Sequence, residues 1–432
     1  MRRNQEFDFK IYGPIVFSLL SSVKILKNSK FSSGRKILNT CISGILVTMA
    51  LLLVVSEMFS FNYVHDMHSF AAVLCPICFH VLGTFKWISS MMRTNDLQGL
   101  MNMMKNCHKY CLRIDESDRD NKRYKQKFDK FKKQISLYAT IWLSVCACGV
   151  IQWCLNPIIY DSYYQFHVGK KINASRRHLP YPGVFPWKIT NIWKYIGTFA
   201  FQVFSAFPTS ISHGIFDILN LSFVASGCIQ LEYLHECLTN NESNMLILRD
   251  REGIDKYYRK IRNCMIHHQL ILEYIERCNI VFSPPMFFAC VNNTLALCVV
   301  SLETSAVKIQ SNIETVVKLL SLTEYGTGIT ISLFLYCSLA ARIETLGLQI
   351  SDSINSCDWE FFYCNEDEYD NKQYRNVATK ISRNIQIGMM RAQKPIIING
   401  GPFYILSLPT FKAMTGFALS NAIVLRQLSD GH

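Results

Sequence analysis

Several residue sets in this chain of 432 residues have types and spacings that could do chemistry. Cys75 and Cys78 form a C-x-x-C, the spacing of redox dithiols and of half a zinc ribbon. Pro76 and Ile77 stand between them in a strongly apolar segment, and no second pair lies at ribbon spacing, which argues against redox or metal function. Most of the 17 cysteines lie in similar runs, Cys41, Cys148, Cys228, Cys290 and Cys337 among them, where Cys behaves as a small hydrophobe. Lys86, Lys194, Asp217 and Glu324 are charges in or beside apolar segments, where a secondary transporter would keep an ion relay. They form no evident pairs, and no internal repeat accompanies them. No nucleophile–base pair, phosphate loop or metal-ligand set supports an enzyme or a cofactor.

What remains are helix faces. Cys146, Gly149 and Trp153 fall at i, i+3 and i+7, a single stripe with a small residue opposite an aromatic wall. Ser420, Val424, Gln427 and Leu428 fall at i, i+4, i+7 and i+8 near the C-terminus. An amide turned to lipid is costly, so this face should look to protein or water. Periodicity alone leaves a helix–helix contact as open as a water-filled path. Asn173-Ala174-Ser175 is a glycosylation sequon, and Glu366 to Asp370 reads as a solvated acidic loop.

The elements that position these faces are those of an all-α membrane protein. Half of the residues are hydrophobic and 18% are charged, against about 25% in soluble domains. Apolar runs of roughly 20 residues, enough to cross a ~30 Å hydrocarbon core, occur near 37–58, 67–91, 135–159, 192–212, 279–302, 316–340 and 396–428. The last is interrupted by Asn399-Gly400-Gly401-Pro402, which splits it. The net charge of +13 sits in short segments between these runs, with no continuous basic face for nucleic acid.

Residues 1–36 hold eight Lys and Arg and 92–134 hold twelve, whereas the link 59–67 holds none. This asymmetry places the N-terminus inside and, after seven spans, the C-terminus outside. The sequon at Asn173 would then be external; the link carrying it also holds five basic residues, against the general trend. The organisation expected is an inner segment 1–36 with an interfacial helix over 7–27, six spans over 37–340, an inner loop and helix over 341–395, and the last span over 396–432. Long helical patterns at Ile215–Leu238 and Tyr257–Ile275 extend two spans past the membrane, as parts of an inner anchor bundle. A G-protein-coupled receptor has the opposite orientation and an Asp-Arg-Tyr signature, absent here.

The clearest identity lies in PIIINGGPFYILSLPTFKAMTGFALSNAIVLRQL, residues 395–428. Its Pro-led entry, Gly-Pro-Phe-Tyr turn, Ser407-Leu408-x-x-Phe411 and ending Ser420-x-x-x-Val424-Leu425-Arg426-Gln427 resemble the terminal segment of insect odorant receptors. Asn421 stands where the wider chemosensory superfamily usually has Tyr. Leu179-Pro180-Tyr181-Pro182, Asp217, His267-His268, Tyr336-Cys337, Trp359 and Lys86 are weaker matches.

The resemblance implies an odorant-gated, non-selective cation channel in the plasma membrane of an olfactory neuron dendrite. Four subunits would line one pore with their last helices, with Val424 and Leu428 as the hydrophobic constriction, Gln427 as an outer hydrophilic ring, and Ser420 on the same face. Arg426, about 100° from Gln427, would meet a neighbouring helix or headgroups. The ligand would be a small volatile molecule held in the outer half of the bundle. Its implied contacts are Phe70, Val73 and Ile77 of the second span, Cys146, Gly149 and Trp153 of the third, Phe201 and Phe204 of the fourth, and Leu322 and Tyr325 of the sixth. Lacking the long inner-loop insertion of the shared co-receptor, the chain reads as the tuning subunit of a heterotetramer, with a homotetramer open. A gustatory receptor channel and a metabotropic seven-helix receptor are the alternatives.

Overall fold

The computed structural model describes residues 33–114, 118–169, 172–239, 251–306, 313–359 and 372–430. The expected interfacial helix over 7–27 and the acidic run at Glu366 lie outside them. The helices are α1 (Ser33–Phe59), α2 (Met67–Met92), α3 (Thr94–Ile114), α4 (Asp118–Val168), α5 (Ile192–Thr239), α6 (Arg251–Ala306), α7 (Ile313–Asn355), α8 (Lys372–Ala392) and α9 (Leu408–Asp430). Before α9 stands a small hairpin, β1 (Asn399–Gly400) with β2 (Tyr404–Ile405).

Among the described residues six helices, α1, α2, α4, α5, α6 and α7, are long and apolar enough to cross a membrane, and they coincide with the first six apolar runs. α1 shows what a lipid-facing helix looks like: Ile37, Leu38, Ile45, Leu52 and Val55 are all exposed. α5 is its opposite, buried over most of its length from Tyr195 to Leu238. It packs against α1, α2, α4, α6 and α7, and so forms the axis of the subunit.

α4, α5, α6 and α7 have 51, 48, 56 and 43 residues. At 1.5 Å per residue even 43 residues run about 65 Å, twice a ~30 Å hydrocarbon core. The surplus lies at one pole, made by the N-terminal halves of α4 and α6 and the C-terminal halves of α5 and α7. The amphipathic helices α3 and α8 pack onto it. Leu97, Met101, Phe128, Leu231, Leu234, Ile261, Ile350 and Ile385 belong to one continuous core there.

A buried polar chain also crosses this pole. Gln230 donates to the Tyr124 hydroxyl at 2.9 Å, Tyr124 meets His108 Nδ1 at 3.0 Å, and Cys111 donates to Gln230 Oε1 at 2.8 Å. Burial, helped by the positive charge of Lys132, lowers the His108 imidazole to about 4, so it is neutral at physiological pH.

The interruption of the last apolar run is a hairpin rather than a helical break. Gly401 turns it at φ +74°, a left-handed conformation that suits glycine, and a side chain there would also strike Phe287. Ser407 then caps α9, its hydroxyl accepting from the Thr410 amide at 3.3 Å.

Candidate ligand-binding site

At the pole opposite the extended helices, α2, α4, α5 and α7 enclose a cavity of about 100 Å³, several times the roughly 10–15 Å³ that one water needs. Its walls are largely apolar and carry five aromatic rings: Phe79 from α2, Trp142 and Trp153 from α4, Tyr181 from the loop after α4, and Tyr325 from α7. Trp153 stacks on Tyr181 with ring centres 6.0 Å apart, and Tyr325 meets Phe79 edge-on at 5.8 Å. Such rings combine a large apolar face with a polar rim, the usual composition of a small-molecule pocket.

Tyr181 is held in place by local chemistry. Gln202 of α5 accepts from the Tyr181 amide at 3.2 Å and donates to its carbonyl at 2.9 Å, clamping the backbone from both sides. Asp161, at the end of α4, takes the His178 ring nitrogen at 2.7 Å, and Tyr195 donates to the His178 carbonyl. Val184 donates to the Ser56 carbonyl, and Trp187 donates to the Thr198 hydroxyl. The loop is therefore strapped over the cavity. Burial pushes the Tyr181 phenol well above its ordinary value, so it is a neutral hydroxyl.

Charges surround the cavity, nearly all of them paired. On the side of the extended pole, Lys86 and Asp217 form a fully buried ion pair at 2.5 Å. His213 Nε2 lies 3.4 Å from Asp217 and 3.3 Å from Lys86, the Tyr336 and Ser332 hydroxyls donate to Asp217, and the Lys86 ammonium sits 5.2 Å over the Phe216 ring. Buried charges need this degree of satisfaction. Beside the loop, Glu57 meets His80 at 2.7 Å, and the His80 ring stands edge-on to Tyr181. Glu324 lies against Gly149, whose missing side chain makes room for the carboxylate; a Cβ there would come within 2.5 Å of Oε1.

Of the residues expected here, Cys146, Gly149, Trp153 and Tyr325 line the cavity. Val73 and Ile77 are buried elsewhere on α2, while Phe70 is half-exposed and packs on Phe61. α2 turns Cys75, Phe79 and Leu82 to the cavity instead. Because α2 is buried on several sides, its apolar residues do not mark one inward face. Phe201 packs beneath Phe185 of the loop, Phe204 points outward at 64% exposure, and Leu322 joins a separate cluster with Ala71 and Val299. Trp142 could have been found by extending the Cys146 stripe four residues back. Tyr181, His213 and Glu324 have no such periodic signal.

Two other expected sites are on the surface. Asn173 is exposed at the start of a short 3-10 turn. α9 turns Met414, Ala418 and Ala422 inward against the subunit, while Ser420, Val424 and Gln427 are exposed on its other side. The Leu428 side chain lies outside the described residues. Among the described residues no group of three or more His, Cys, Asp or Glu is placed to hold a metal ion.

Comparison with known proteins gives consistent matches. The family model described as 7tm Odorant receptor matches residues 66–419. Odorant receptor 13a of Drosophila melanogaster is 20% identical over 292 residues, spanning 67% of this chain and 66% of that receptor's length. Odorant receptor 47a of the same fly is 20% identical over 370 residues, 83% of this chain and 84% of its own. The structure of the insect olfactory receptor OR5 from Machilis hrabei in complex with eugenol superposes with a TM-score of 0.72 at 15% identity, over 96% of this chain and 98% of that one.

Proposed function

Because the chain belongs to the 7tm odorant receptor family, a family of multi-pass membrane receptors rather than enzymes, we propose that it is the odorant-tuning subunit of a ligand-gated cation channel. A small volatile molecule enters the aromatic cavity, and its binding opens a central pore in the plasma membrane of an olfactory neuron.

The observation that carries this reading is the pairing of two features in one subunit. One is an apolar cavity with aromatic walls, strapped by the Tyr181 loop. The other is a last helix whose Ser420, Val424 and Gln427 side is left uncovered by its own chain. Such a face suits a path shared by four subunits, where a ring of Val and Leu can gate by excluding water. The extended pole, with its basic α4 and α6 segments, serves as the inner anchor between subunits, and Asn173 is then external. The shared co-receptor supplies the other subunits of a heterotetramer, and cations are the permeant ions.

Current recording from cells expressing the full chain with and without the co-receptor, against a small odorant panel, tests this directly. Odorant-evoked cation current that needs both chains is expected. Responses that depend on G-protein signalling and carry no such current would overturn it.

A further inference from the structure

The charge pattern around the cavity carries its ligand class. Asp217 is satisfied by Lys86, His213, Tyr336 and Ser332, and Glu57 is paired with His80. His213, the imidazole on the cavity wall, is engaged by Lys86 and Asp217. Glu324 is the exception. It lines the cavity, its Oε2 is buried without a hydrogen-bond partner, and no ion pair among the described residues reaches its side chain. A carboxylate left unpaired in apolar surroundings is costly, and a cationic occupant would remove that cost. The rings beside it, Phe79, Trp153, Tyr181 and Tyr325, present π faces that attract ammonium groups, as aromatic cages do. Gly149 adds a seat, since the bare backbone admits the carboxylate beside Trp153's helix face.

We infer that the cavity selects a small protonated amine, with Glu324 as counter-ion and the aromatic rings as the walls of a cation-binding box. This rests on the reading of the cavity as the odorant site. A ketone of equal size fills the same volume but leaves the Glu324 oxygen without a partner, and an alcohol offers it only an uncharged hydroxyl. The amine's ammonium donates to the carboxylate while its alkyl chain covers the apolar wall.

The test is calorimetric titration of the full chain in lipid nanodiscs with hexylamine, hexanol and hexanone, beside current recording from the channel complex. Hexylamine should bind at least about tenfold more tightly than either neutral ligand, the least expected of a charge-assisted hydrogen bond. Glu324→Gln should erase that preference, and Glu324→Asp, which keeps the charge, should retain most of it. If Glu324→Gln does not fold, the wild-type ranking of the three ligands still decides. Equal or weaker binding of hexylamine, a preference for hexanone, or a preference surviving in Glu324→Gln overturns the amine assignment. Selective amine binding without any current supports the ligand class and overturns only the channel reading.

Discussion

Trp153 and the Lys86–Asp217 pair show how differently single residues in one helical bundle can act. Trp153 closes one wall of the cavity and stacks on Tyr181, so its loss changes the shape offered to a ligand. Trp153→Ala should lower odorant potency about tenfold or more while leaving surface expression intact. Equal loss of surface expression, read by antibody labelling, would mean that the ring is chiefly packing. Lys86 and Asp217 touch no exposed surface, and each satisfies the other. Lys86→Met alone strands a buried carboxylate and should cost about 3–5 kcal/mol. Lys86→Met with Asp217→Leu should recover much of that loss, and a thermal-unfolding double-mutant cycle measures the coupling. Additive losses in that cycle would show that the pair is not the unit drawn here.

At the scale of elements, the subunit is built on helices that outrun a bilayer. Their apolar halves hold the cavity and their charged halves gather into one buried core with α3 and α8. α9 is different: 23 residues, capped by Ser407, and entered through a hairpin that pins its start against α6. Cys298 of α6 donates to the Ala418 carbonyl at 3.3 Å, so the small residues Ala418 and Ala422 allow close contact on that side only. Widening substitutions on the other side, Val424→Ala and Gln427→Ala, should alter single-channel conductance or blocker sensitivity beside a wild-type partner. Unchanged conductance, selectivity and block in both would remove α9 from the pore.

The whole molecule divides into a pole that holds the cavity and a pole of extended, close-packed helices, joined along α5. Stability of the second pole should depend on pH through His108. Its folded imidazole sits at about 4 against an ordinary value of about 6.5, so the unfolded chain binds a proton more readily between those limits. The contribution is therefore complete above about pH 6.5 and is lost as pH falls towards 4. At pH 5 the loss should reach about 2 kcal/mol. His108→Gln, which keeps an acceptor for Tyr124 and cannot be protonated, should flatten that acid dependence. Parallel acid profiles for both proteins, in detergent-solubilised thermal unfolding, would exclude His108 as its source.

The sequence by itself determined membrane residence, the first six spans, the family through its last segment, and part of the cavity wall. These are encoded in composition and local spacing: apolar runs set by bilayer thickness, and a stripe from Cys146 through Gly149 to Trp153 on one helix. The tertiary structure alone decided which side of α2 faces the cavity, because that helix is apolar on several sides and periodicity cannot choose among them. It also decided that Tyr181 reaches over the cavity from a loop, that the expected split before α9 is a hairpin, and that Lys86 and Asp217, 131 residues apart, meet in one ion pair. Glu324 is the sharpest case. In sequence it is one more charge in an apolar run, and only packing reveals that Lys86, Asp217 and Glu57 each have an ion-pair partner while, among the described residues, it has none. Pairing across helices is a property of distance in space, and no local pattern records it.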